Sequence, residues 1–191
     1  KVKNNLIKEP LKKIETGIVK KLDILENLVS QAYLAIGSNL GNKINNIEVT
    51  KFEIEKYKIK ILKSSSNYIT ESWPDNSMPN YINIILKVET SLAPLELLKV
   101  CNLIELKLGR IRERKNSPRT CDIDIIDYNN KILGKQNSKL ILPHPRMCKR
   151  NFVLLPLFEV NKSWKHPKSK ISIVKLINSL PIKDLRSIKQ I

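Results

Sequence analysis

Glycine is scarce in this chain, at five of 191 residues, and aromatic residues make up only 5%. That scarcity leaves no glycine-rich, aromatic-bearing strands of the kind on which RNA-binding sheets stack bases. The three cysteines, Cys101, Cys121 and Cys148, show no Cys-x-x-Cys spacing. An odd number of scattered thiols suits reduced cysteines better than a disulfide frame, so a cytosolic compartment is expected. No apolar run approaches the roughly 18–20 residues needed to span a bilayer. The amino end has no uninterrupted apolar core of a secretory signal, so neither a membrane nor export is expected. Internal repeats, low-complexity linkers and a Ser or Cys constellation for covalent catalysis are also missing.

Positive charge is abundant. The formal net charge is +17 and the pI about 9.8, a field that draws polyanions whatever the fold. It is spread along the chain, however. Residues 1–31 carry a net +3 and the other 160 residues carry +14, so no single tail or patch holds it. A nucleic-acid-binding module stays open as a rival on charge alone, and steep salt-dependent RNA binding would favour it. At 191 residues the chain has room for one domain with a full core and too little for two enzymes. The expectation is a catalytic domain over residues 31–191 behind an extension over residues 1–30. In that extension Leu11, Ile14, Ile18, Leu22, Leu25 and Leu28 follow helical spacing after Pro10, which predicts one amphipathic helix.

Further along, Ala32 to Ile36 reads as a buried strand closed by a turn, Gly37-Ser38-Asn39-Leu40-Gly41-Asn42, rich in residues that tolerate special backbone angles. Ile44, Ile47 and Ile54 mark a helix face. A strand is predicted within Ile59–Glu71, a loop at Trp73–Pro79, and a strand from Tyr81 to Thr90. A second helix starts at Pro94, shows Leu98, Cys101, Ile104 and Leu108, and stops at Gly109. A strand beginning near Asp122 follows, then an irregular stretch and a short helix near Ile171 to Leu180. The order strand, helix, strand, strand, helix, strand is the ferredoxin-like split βαβ arrangement of the α+β class. It predicts an antiparallel sheet with its helices on one face and a site on the open face.

The densest chemistry lies in Pro118-Arg119-Thr120-Cys121-Asp122-Ile123-Asp124-Ile125-Ile126. Side chains alternate across a strand, so Asp122 and Asp124 share a face while Ile123 and Ile125 point into the core. Two aspartates about 6.6–6.8 Å apart along the backbone suit a pair of hard cations, and paired Mg²⁺ ions are a common device for displacement at phosphorus. Arg110, Arg112, Arg114, Lys115 and Arg119 precede them, and guanidinium forks match phosphate oxygens. The plainer alternative is an edge strand whose aspartates pair with neighbouring arginines.

With the turn after the first strand, this Pro-Arg-Thr-x-Asp-x-Asp run, Pro143-His144-Pro145-Arg146-Met147, and Arg150-Asn151-Phe152-Val153-Leu154, the chain resembles the 6-hydroxymethyl-7,8-dihydropterin pyrophosphokinases over about residues 32 to 160. The resemblance implies transfer of pyrophosphate from ATP to a reduced pterin alcohol, with two Mg²⁺ ions and release of AMP, on the route to folate. It implies Asp122 and Asp124 as metal ligands, and Arg110 and Arg119 as the residues that grip the phosphates and stabilise the transition state. Arg112, Lys139, His144 and Arg150 are implied as further nucleotide contacts, with Asn102, Glu105 and Ile125 near the base or ribose. Thr70, Tyr81, Asn83 and Phe152 are implied around the pterin. A monomer that binds neither nucleic acid nor membrane is expected.

Overall fold

The computed structural model describes residues 29–72, 77–110, 117–135 and 138–191. The expected amino-terminal helix falls on residues outside these, save its last two positions, which lead into the first strand.

The elements follow the predicted order. Strand β1 (Ser30–Ser38) leads to helix α1 (Lys43–Lys56), then β2 (Lys60–Ser64), β3 (Tyr68–Thr70) and β4 (Tyr81–Thr90). Helix α2 (Pro94–Lys107) and β5 (Asp122–Tyr128) complete the split βαβ unit. The sheet runs β5-β1-β4-β3, with β2 also paired to β4, and every pairing is antiparallel. Local chemistry fixes the helix starts. Asn42 Oδ1 accepts from Asn45 N at 3.1 Å to cap α1, and the Glu96 carboxylate accepts from Ala93 N at 2.9 Å behind Pro94 in α2. Each such cap is worth about 0.5–2 kcal/mol.

One face of the sheet is packed as expected. Ile47 and Ile54 of α1 and Leu97, Cys101 and Ile104 of α2 bury Leu34, Ile36, Ile84, Leu86, Ile123 and Ile125. The other face is not open. Helix α3 (Asn151–Val160) lies on it, with α4 (Ile173–Asn178) behind. Val153, Leu154, Leu157, Ile173 and Trp164 there cover Tyr33, Ile85 and Ile126. Helices on both faces correct the one-face expectation, and the physical cause is visible in α3 itself. In Asn-Phe-Val-Leu-Leu-Pro-Leu-Phe-Glu-Val the eight residues from Phe152 to Phe158 and Val160 are apolar, too many for a helix resting at a surface. Strand β4 is correspondingly buried without a break from Ile82 to Leu86 and alternates only from Lys87 on.

The predicted strand in Ile59–Glu71 is two strands. Between them Ser65 N still donates to Ile85 O at 2.9 Å, but Ser65 Oγ accepts from Ile85 N at 2.9 Å and the Glu159 carboxylate accepts from Ser66 N at 3.0 Å, so side chains replace part of the ladder. A short final strand, β6 (Lys189–Gln190), pairs with the outer edge of β3, after a short helix α5 (Ile182–Arg186). In β5 the register shifts between Leu34, opposite Ile125, and Tyr33, opposite Asp127. The bulge leaves Ile126 as an extra residue and turns Asp127 onto the face of Tyr33.

Candidate active site

One sheet face therefore carries an acidic end followed by an apolar stretch. Tyr81 and Asn83 on β4, Gly37 on β1, and Asp122 and Asp124 on β5 lie at one end. Ile85, Ala35 and Ile126 sit under α3. Because α3 begins only at Asn151, the end occupied by the aspartates stays uncovered, with Arg150 standing at its edge.

Asp122 and Asp124 keep side-chain exposures of 28% and 36%, while Ile123 and Ile125 between and beyond them are 4% and 3% exposed. Three arginines converge on the acids. Arg110 Nη1 reaches Asp122 Oδ1 at 2.6 Å and also pairs with Glu105. Arg119 Nη1 donates to Asp122 Oδ2 at 3.0 Å, and Arg150 Nη1 to Asp124 Oδ2 at 2.9 Å. His144 Nε2 stands 3.7 Å from Asp124 Oδ2. Its Nδ1 accepts from Arg146 N at 3.2 Å, which leaves Nε2 to carry the proton. Burial lowers the His144 pKa, with Asp124 opposing that shift and Arg150 and Arg146 adding to it.

Glu105 is 2% exposed and accepts from Ile123 N at 2.7 Å. One carboxylate thus ties α2 to the start of β5 and aims Arg110. Counting Glu105, three arginines face three carboxylates, so this sheet end is close to neutral although the chain is strongly basic. A hollow of about 190 Å³ opens beside Arg110 and Arg119, lined also by Leu40, Gly109 and Pro118.

The remaining residues divide. Asn83 Nδ2 donates to Thr70 Oγ1 at 2.9 Å. A methyl group at Gly37 would meet Asn83 Oδ1 at 3.1 Å and the Tyr81 ring at 3.6 Å, so glycine there leaves room for both. Arg119 lies 5.8 Å from the Tyr81 ring centroid and Arg150 5.4 Å from that of Phe152. Arginines therefore join the acidic pair to Tyr81 and Phe152. Asn102 is exposed on α2, one turn before Glu105. Ile125 packs its side chain into the core, away from the acids. Lys139 is exposed in the loop before Leu140 and makes no ion pair among the described residues. Arg112 lies outside the described residues, as do Trp73 and the rest of the loop between Arg110 and Ser117.

Two asparagines inside the quoted motifs carry roles that the sequence does not assign. Asn39, 2% exposed, accepts from Arg119 N at 2.8 Å and donates to Pro79 O at 3.3 Å. It pins the arginine loop to the stretch before β4. Asn151 donates to Asp184 O at 2.5 Å and Ser187 Oγ at 3.2 Å, fixing the Arg150–Phe152 turn to the carboxy-terminal segment. An asparagine in a turn is too ordinary to stand out in sequence; the one signal was its place beside a motif residue.

Among the described residues no three His, Cys, Asp or Glu side chains gather as a ready-made metal cage. Two oxygen-donor carboxylates do fit a hard cation such as Mg²⁺, which usually keeps waters and takes substrate phosphates as its other ligands. Covalent catalysis by thiolate does not fit. Cys121 is fully buried, its pKa pushed up to about 12 by burial, and its Sγ lies 3.3 Å from Thr50 Oγ1.

A paired acidic and guanidinium cluster at the end of a ferredoxin-like sheet suits the handling of polyphosphate, the business of a phosphotransferase. Residues 33–162 match the family described as 7,8-dihydro-6-hydroxymethylpterin-pyrophosphokinase, and the chain belongs to that family. The 2-amino-4-hydroxy-6-hydroxymethyldihydropteridine pyrophosphokinase of Haemophilus influenzae is 37% identical over 141 residues, covering 73% of this chain and 87% of that protein. The folic acid synthesis protein fol1 of Pneumocystis carinii is 37% identical over 158 residues, which is 82% of this chain but only 21% of the fungal protein. Among solved structures, wild-type HPPK-DHPS of Plasmodium falciparum superposes with a TM-score of 0.65 at 19% identity, over 81% of this chain and 42% of the other. That likeness speaks for the fold. The chain thus spans about a fifth of the fungal relative and under half of the Plasmodium protein.

Proposed function

We propose that the chain transfers a pyrophosphoryl group from ATP to the hydroxymethyl group of 6-hydroxymethyl-7,8-dihydropterin, giving the pterin diphosphate and AMP for folate synthesis. It works with two Mg²⁺ ions, as a monomer in the cytosol. The observation that carries the metal part of this reading is the charge count. Three arginines already balanced by Glu105, Asp122 and Asp124 leave little net charge to meet a triphosphate. Further cations have to accompany the nucleotide, and the two half-exposed aspartates are the oxygen donors able to hold them. Bound there, the ions supply charge neutralisation on the polyphosphate and on the departing AMP oxygen.

The chain's own residues do the rest. Arg119 and Arg110, which hold Asp122 between them, would present their forks to the phosphates and stabilise charge in the transition state. Asn39 keeps the Arg119 backbone in place. Arg150, His144 and, from the loop beyond α2, Arg112 extend the nucleotide contacts, with Asn102 toward the sugar or base, Glu105 acting there through Arg110, Ile125 through its backbone, and Lys139 from its loop. His144, neutral with its proton on Nε2, donates a hydrogen bond without adding charge. The pterin lies between Tyr81 and Phe152, with the Asn83 amide, oriented by Thr70, reading its donors and acceptors. Its hydroxyl attacks the β-phosphorus directly. Positioning and electrostatics suffice for such chemistry.

The test is AMP formation from ATP and the pterin alcohol, with Mg²⁺ and with excess chelator. Stoichiometric AMP and pterin diphosphate, abolished by the chelator, is the expected result. AMP formation that ignores the chelator overturns the metal assignment, and its failure with Mg²⁺ present overturns the activity.

A further inference from the structure

The face that carries the aspartates continues past α3 to a second hollow. There a cavity of about 390 Å³ is lined by Tyr33, Asp127 and Trp164 at its base, and by Lys87, Lys165 and Lys170 among its other walls. Lys87 is four residues beyond Asn83 on β4, about 13 Å along the strand, so the cavity is separate from the site described above.

Its chemistry is unusual for a packed face. Lys87 sits in the middle of an interior strand, half-buried, directly opposite Tyr33 of β1 and Lys63 of β2. A lysine in that setting lays its stem along the sheet and keeps its ammonium at the solvent edge, where the exposed Lys165 and Lys170 also stand. None of Lys87, Lys165 and Lys170 makes an ion pair among the described residues. The carboxylate nearest to hand, Asp127, is 1% exposed and already accepts from Trp164 Nε1 at 2.8 Å and Asn130 N at 3.1 Å. Glu89, next on the same face of β4, also stays out of any ion pair among the described residues. The lysines are left as three cations around one space, with the Asn129–Asn130 turn, Asn161 and Ser163 as neutral polar neighbours.

We propose that this cavity binds a small phosphate-bearing molecule, the phosphate between the lysines and a polar body against the carboxamides and the Trp164 edge. Its volume exceeds that of a bare phosphate and lies within the range of small-molecule sites. The proposal does not depend on the catalytic reading. Its strongest competitor is diffuse attraction of anions to a chain of net charge +17.

Trp164 provides a local reporter, because the chain has only two tryptophans and Trp73→Phe leaves Trp164 alone. In that background, emission is titrated with ribose 5-phosphate, inorganic phosphate and ribose at constant ionic strength. A saturable change with ribose 5-phosphate, none with ribose, at least tenfold weakening in Lys87→Met and in Lys170→Met, and persistence in Arg119→Ala are expected. An equal response to inorganic phosphate supports the site with the free anion as occupant. A non-saturating change, a response that survives both lysine substitutions in properly folded protein, or one lost in Arg119→Ala overturns the proposal.

Discussion

Asp122 and Asp127 stand on one face of the same strand and meet opposite surroundings. Asp122 is partly exposed and held by Arg110 and Arg119. Asp127 is buried against an indole and a backbone amide, with no cation in ion-pairing range among the described residues. The same contrast runs along β4, where Tyr81 and Asn83 face the arginines and Lys87 faces the cavity. Helix α3 separates the two ends. A carboxylate that exchanges an arginine for a metal must stay near water and near competing cations, whereas one that braces a fold can be sealed in by neutral donors. The first arrangement is adjustable at small cost; the second is fixed by desolvation.

The sharpest way to break this contrast is at the acidic pair. Asp124→Ala should lower turnover in the AMP assay by at least about 10³-fold, because it removes a ligand for charge that develops only during transfer. Thermal stability should change little, the side chain being partly solvated. Near-normal turnover would remove the exchangeable role assigned to this end. Glu105→Gln comes next. Its shape and its bond from Ile123 N survive, but the charge that aims Arg110 is lost. A fall of about 10- to 100-fold in kcat, with a smaller change in the KM for ATP, is expected of a positioning residue. A change in KM alone would argue for simple binding.

Asn151→Ala frees the Arg150–Phe152 turn from Asp184 and Ser187. The expected outcome is a rise of about 3- to 10-fold in the KM for the pterin with kcat nearly intact, since only the orientation of Phe152 and Arg150 loosens. Asn151→Asp, which keeps an acceptor for Phe152 N but not the donor, should behave like the alanine variant. Recovery of the normal KM in Asn151→Asp would show that the bonds to the carboxy-terminal segment are idle.

How far the sequence could be read follows the same division. The acid pair was legible because alternation puts Asp122 and Asp124 on one face whatever surrounds them, and β5 keeps that alternation up to Ile125. Helix α2 was legible from Pro94 at its start and Gly109, at φ +79°, just past its end. Helix α3 was not, because an all-apolar segment carries no periodic signal and Arg150 to Leu154 was read for its motif instead of its packing. The break between β2 and β3 rests on the Ser65 hydroxyl and the distant Glu159 carboxylate standing in for backbone partners, which no local pattern reveals. Asp127 stayed silent for a further reason. Simple alternation points it to the opposite face, and only the bulge at Ile126, set by pairing with β1, turns it toward Trp164.

That buried acid gives the smallest effect, and it is one of pH. Burial raises the Asp127 pKa above its usual value, outweighing the bonds from Trp164 and the backbone that favour the charged form. A carboxyl raised in the folded state contributes stability that is fully present below the unfolded value of about 3.9 and is lost as pH rises through the folded value. Asp127→Asn mimics the protonated acid and does not titrate. The asparagine variant should therefore gain stability relative to the parent chain as pH is raised from about 4 to 7, read as the difference in urea midpoints at each pH with unchanged slopes. Turnover at neutral pH should hardly move, since α3 stands between Asp127 and the acid pair. A stability difference that stays constant with pH, or that shrinks as pH rises, would mean that the carboxylate is held by its donors more strongly than it is opposed by burial, and the two aspartates would then differ in partners but not in the balance of forces that fixes them.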